Sequence, residues 1–264
     1  MDLGYFETSL PVTDIAASMA FYEAVGFERA EYAQDAGTAT MILGDCRLGL
    51  FQGHLDPDRP QLIFWQGPIE AVAAAAEQAG LNVRVALHHD AEGGGAFMLD
   101  DPDGHPLFFI RMKTFYPQYP RHTQAAPPER PKPGPIDPTA GWFEASLPVA
   151  DIARSVAFYE ALGFETVIRE TKGTRVSLQN ADCRIGLFQG HLEPDRPQLI
   201  FWQGDMAAMA ERVRRAGLGF HVEPRGDNDH GAFMLVDPDG HPLYFIRMPG
   251  VTRTQPDPTR VDAV

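Results

Sequence analysis

The stretch FETSLPVTDIAASMAFYEAVGFE (6–28) returns as FEASLPVADIARSVAFYEALGFE (143–165). DCRLGLFQGHLDPDRPQLIFWQG (45–67) returns at 182–204 with only Leu48→Ile185 and Asp56→Glu193 changed. GAFMLDDPDGHPLFFIRM (95–112) returns at 231–248. The chain is an internal repeat, and one copy reads for both. Residues 6–12 alternate like a strand. Asp14 can cap a helix whose apolar Ile15, Met19, Tyr22 and Val25 recur at helical spacing, and Gly26 stops it. Strands over 27–33, 38–43 and 47–52 complete one βαβββ unit. A strand over 61–66, an Ala-rich helix from Pro68 to Gly80, and strands over 82–87, 96–99 and 106–112 make a second. Asp-Pro-Asp-Gly (101–104) is a turn, with proline setting φ and glycine taking positive φ. Each half thus holds two units and the chain four, an α+β architecture.

The segment between the copies differs in kind. Residues 114–140 hold eight prolines and little that builds a core, and read as an extended linker. This divides the chain into 1–113, linker, 141–250 and a polar tail, 251–264. Its 44 % hydrophobic and 22 % charged residues suit a soluble globular chain. No apolar run is long enough to span a membrane, and nothing at the start resembles a secretory leader. A net charge of −14 disfavours nucleic acid and anionic lipid as partners. Cys46 and Cys183 are one position seen twice, not a disulfide pair, and so low a count fits the cytoplasm.

Leu-Pro-Val-x-Asp-Ile with Phe-Tyr-Glu-x-x-Gly-Phe, and later Asp-Pro-Asp-Gly-His-Pro-Leu-x-Phe-Ile, resemble the vicinal oxygen chelate superfamily: glyoxalases, bleomycin-resistance proteins and extradiol dioxygenases. The resemblance covers both halves. It implies sheets curled into half-open cups with the ligand inside. It also implies, in the metal enzymes, one ligand on each of four cup strands. Carried over by motif, those places are Glu7, Gly49, Gln61 and Phe108, then Glu144, Gly186, Gln198 and Tyr244. One carboxylate and one amide per set fall short of the three or more donors a divalent ion needs. No metal or other cofactor is therefore expected, a divalent metal being the alternative.

Strand alternation extends the lining. Glu7, Ser9, Arg47, Phe51, Gln61, Ile63, Trp65, Phe108 and Ile110 share the cup-facing parity. So do Glu144, Ser146, Arg184, Phe188, Gln198, Ile200, Trp202, Tyr244 and Ile246. Only Phe108 against Tyr244 is expected to differ, although 28–43 and 166–178 have drifted apart. The aromatic residues suit a planar ligand; the alternatives are that they fill a closed cup or form a pseudo-symmetric interface between the halves. Glu7 and Glu144 are candidate acid–base groups, and each with its arginine also reads as a buried ion pair or a ligand contact. Gln61 reads as a core hydrogen-bonding group. His54 and His191 sit at a turn, and His105 and His241 read as structural. Arg59 and Arg196 are expected to pair with Asp58 and Asp195. The expected function is binding of a small aromatic or hydrophobic molecule. The alternative is a metal-dependent lyase, isomerase or dioxygenase. The chain is expected to be a monomer of pseudo-dimeric halves or a homodimer.

Overall fold

The computed structural model describes residues 1–55, 60–91, 93–112, 135–170, 173–192, 197–227 and 229–251. Most of the linker, nearly all of the tail and the Asp58–Arg59 and Asp195–Arg196 pairs lie outside them. The first half runs β1 (Gly4–Val12), α1 (Ile15–Val25), β2 (Glu28–Ala33), β3 (Thr38–Leu43), β4 (Cys46–Gln52), β5 (Gln61–Gln66), α2 (Ile69–Gln78), β6 (Val83–His89), β7 (Gly95–Asp100) and β8 (Pro106–Arg111). The second repeats it. It runs β9 (Gly141–Pro148), α3 (Ile152–Ala161), β10 (Glu165–Arg169), β11 (Arg175–Asn180), β12 (Cys183–Phe188), β13 (Gln198–Gln203), α4 (Met206–Arg215), β14 (Val222–Gly226), β15 (Gly231–Val236) and β16 (Pro242–Arg247).

Each half forms one eight-stranded sheet, in the order β2-β3-β4-β1-β5-β8-β7-β6 and its equivalent. Asp14 accepts hydrogen bonds from the Ala16 and Ala17 amides, and Gly26 closes α1 at φ 116°. The expected four βαβββ units form because strand alternation and the Asp14 and Asp151 helix caps agree with one another. β1 lies at the sheet centre, parallel to β4 and antiparallel to β5. Its even residues Phe6, Thr8 and Leu10 are buried on the helix side. Its odd residues therefore face the cup.

The helix-covered faces of the two sheets share one hydrophobic core. Phe27 meets Phe201 edge-on, and Phe64 meets Phe164. Tyr22 donates its hydroxyl to Asp237 Oδ2 (2.9 Å), and Tyr159 donates to Asp101 Oδ2 (3.0 Å). His105 Nε2 donates to the Pro148 carbonyl and His241 Nε2 to that of Pro11. The Asp-Pro-Asp-Gly-His turn is thus more than a reversal: each copy clamps the opposite half. Cys46 and Cys183 are buried and unpaired to each other, in that core. His54 Nε2 donates to the Ala36 carbonyl across its turn.

Candidate functional site

The strand register sets which side chains meet in the cups. Glu7 lies opposite Ile63, which lies opposite Phe108; Ser9 lies opposite both Gly49 and Gln61. Glu7 is 1 % exposed, and its Oε1 accepts from Trp65 Nε1 (3.2 Å) and Ser9 Oγ (3.2 Å). Glu7 and Trp65 therefore share one side of the sheet. The Arg47 guanidinium lies over the Tyr5 ring at 5.1 Å.

Gly49 is the informative neighbour. A Cβ there would come within 2.3 Å of Glu7 Oε1 and 2.6 Å of Phe51 Cε2. Gly186 repeats the geometry, 2.3 Å from Glu144 Oε1 and 2.8 Å from Phe188 Cε2. The carboxylate fills the space that a fourth-strand side chain would need. Across the Glu7 row the β5 and β8 positions are Ile63 and Phe108, and across the Glu144 row they are Ile200 and Tyr244. Among the described residues no three His, Cys, Asp or Glu side chains cluster as a metal site. Gln198 Oε1, buried, has no hydrogen-bond partner among the described residues.

The second cup departs from the first in the segment where the repeat drifts. Arg175 opens β11 opposite Phe188, in the register of Thr38 opposite Phe51; Ser177 stands opposite Gly186, as Thr40 stands opposite Gly49. Arg175 Nη2 donates to Glu144 Oε1 (3.3 Å) and to Ser177 Oγ (3.2 Å). Ser177 Oγ donates to Glu144 Oε2 (2.5 Å), and Trp202 Nε1 donates to Oε1 (3.2 Å). A carboxylate with no solvent exposure needs such a set of charged and polar donors. The cation that reaches Glu144 is thus Arg175, where Arg184 was expected. Arg184 lies over Trp142 at 4.5 Å and donates to Gln179. Its β12 position points it toward the aromatic residue two places before Glu144. Phe108 against Tyr244 is also not the sole difference between the cups: Thr38, Thr40 and Tyr5 become Arg175, Ser177 and Trp142. β3 and β11 contribute to the lining beside the strands that alternation marks.

The tryptophans are already engaged. Trp142 stacks on Trp202 at 5.7 Å, and the Arg175 guanidinium lies over Trp202 at 4.0 Å. With Phe188 and Ile200 the two form a buried cluster apart from the main core, and partly buried Ile168, Tyr244, Ile246 and Val251 pack against it. Above it opens a cavity of about 750 Å³ lined by Arg175, Phe188, Trp202, His191, 167–170 and 248–251. That size suits a small organic ligand. The last of these segments is held because Gln203, at φ 64°, exchanges side-chain hydrogen bonds with the backbone of Met248. Gln66 does the same for Met112. Neither glutamine was picked out by sequence reasoning. Ser146 Oγ donates to the Glu144 carbonyl at 3.5 Å, where Ser9 reaches the carboxylate of Glu7.

The family model for the glyoxalase/bleomycin resistance protein/dioxygenase superfamily matches residues 4–109 and again 136–245. Among solved structures, the Mn(II)-bound glyoxalase from Novosphingobium aromaticivorans is similar at 18 % identity and TM-score 0.58, over 93 % of this chain and 81 % of that one. A catechol 2,3-dioxygenase is similar at 18 % and 0.55, over 96 % and 91 %. The 2,2',3-trihydroxybiphenyl 1,2-dioxygenase from dibenzofuran-degrading Sphingomonas wittichii strain RW1 is similar at 18 % and 0.56, over 93 % and 89 %. No curated protein matches. At such identities the solved structures establish the shared fold alone. With both halves matched by the family model, the chain belongs to the glyoxalase/bleomycin resistance protein/dioxygenase superfamily.

Proposed function

We propose that this protein binds a small aromatic or hydrophobic molecule in its cups and does so without a metal. The observation that carries this reading is the pair of glycines, Gly49 and Gly186, whose side-chain space the Glu7 and Glu144 carboxylates occupy. A family scaffold that places glycine, isoleucine and an aromatic residue around its single carboxylate presents an apolar cup rather than a chelate. Glu144 is fully buried beneath Arg175 and Trp202 and acts as a positioning group for them. We assign Glu7 the same part toward Trp65.

The runner-up is a metal-dependent lyase, isomerase or dioxygenase using Glu7 and Glu144. The similar Mn(II)-bound glyoxalase shows that this fold accommodates an ion in another chain. Here the donor set does not support it. No helix among the described residues is long and apolar enough to cross a membrane. The acidic net charge argues against nucleic acid, and the two buried thiols accord with a reducing compartment.

Tryptophan fluorescence tests the proposal. Titration with neutral two-ring aromatics such as naphthalene derivatives is expected to quench or shift the emission saturably, because Trp202 lines the cavity. An unchanged spectrum across all such compounds up to their solubility contradicts it.

A further inference from the structure

We infer that the second cup selects planar ligands bearing a carboxylate, with Arg175 as the residue that recognises it. This rests on the reading of the cup as an aromatic-ligand site and names the chemistry of its occupant. Arg175 is 7 % exposed yet lines the 750 Å³ cavity. Arg175 thus presents to the cavity a cation that water hydrates poorly, and an oxyanion placed there would meet a charge already largely withdrawn from solvent. The guanidinium is also rigid. Glu144 and Ser177 hold Nη2 from below, and Trp202 packs against its plane. A fixed planar fork is the geometry that recognises a carboxylate.

Glu144 does not cancel this preference at the cavity. Its oxygens are engaged by Arg175, Ser177 and Trp202, and it lies wholly out of solvent beneath the cation it holds. The charged groups that line the cavity are Arg175 and Arg169 against the one carboxylate of Glu170. Beside Arg175, Phe188 and Trp202 offer the apolar wall for the ring that carries the acid. The first cup has Thr38 and Thr40 at the registers of Arg175 and Ser177, so the preference belongs to one cup of the two.

The test compares 2-naphthoate with 2-methylnaphthalene by calorimetric titration of the full chain. Wild type is expected to bind one 2-naphthoate at least tenfold more tightly than the neutral ring. Arg175→Lys keeps the charge but not the fork and is expected to lose part of that margin. Removing the arginine alone strands a buried carboxylate, so the decisive variant is Arg175→Met with Glu144→Gln, whose circular dichroism and unfolding midpoint report whether it folds. It is expected to bind both compounds equally. Equal binding of the two compounds by wild type, or a preference for the acid that survives in a folded double variant, overturns the role of Arg175 while leaving the aromatic cup intact. Failure of wild type to bind either compound overturns the aromatic cup and this inference with it. Should the double variant not fold, Arg175→Lys decides alone, and an unchanged margin for the acid there counts against the inference.

Discussion

At position 49 the only side chain the first cup accepts is a hydrogen atom. The Glu7 carboxylate turns into that space, where Ser9 and Trp65 hold it, and Glu144 does likewise beside Gly186. Gly49→Ala pushes on a carboxylate held through Oε1 by Ser9 and Trp65. Gly186→Ala pushes on one pinned through both oxygens by Arg175, Ser177 and Trp202. Both should destabilise the fold by about 1–3 kcal/mol, the usual range for forced overpacking. Urea unfolding of the two variants checks this, and a neutral or stabilising effect at both positions speaks against the packing described. Arg175 shows where sequence reading stopped at this scale. Its register in the cup was computable from strand alternation in 175–180. But the repeat had decayed over 166–178, and with no matching partner in the first half the residue drew no notice.

At the scale of elements, alternation, helix caps and the proline and glycine signals located the strands and α-helices of the described residues but not the short 3-10 turn at Gln34–Ala36, because all act within a few residues of where they are read. The repeated chemistry within each Asp-Pro-Asp-Gly-His turn was visible as a turn for the same reason. Its second task was not, since Tyr159, Pro148, Tyr22 and Pro11 come from the opposite half and nothing local announces them. These clamps carry a pH signature. Burial pushes the Asp101 and Asp237 carboxyls above their ordinary value of 3.8, against the opposing pull of His105 and His241 and of their hydrogen bonds. Over that interval the native state holds protons that the unfolded chain has released. The stability contributed by the two groups is complete below pH 3.8 and declines as pH climbs through their raised values. A double Asp101→Asn, Asp237→Asn variant keeps acceptors for the turn amides but has no proton to release. Its unfolding midpoint relative to wild type should rise as pH climbs above 3.8, by the linkage between proton binding and folding. A difference that is flat or falls over that range contradicts the assignment.

For the whole molecule, duplication places two eight-stranded sheets back to back through one shared core, leaving the cups on the outer faces. The division of labour follows from the faces. The helix side carries the packing and the inter-half clamps, so it tolerates little change. The cup side carries Glu7, Trp65, Arg175 and Trp202, where the halves have diverged. That the two halves would share a core was outside the reach of a linker rich in proline, whose composition sets reach but not docking. The account's central claim is that these cups take a ligand without a chelated ion. Its most direct test is elemental analysis of the intact chain, purified without chelator, incubated with excess Mn(II), Fe(II), Ni(II) or Zn(II) and freed of unbound ion by gel filtration. The account predicts retention far below one ion per chain for each metal. Retention of one or two tightly held ions per chain, lost on replacing Glu7 and Glu144 by alanine, would contradict it.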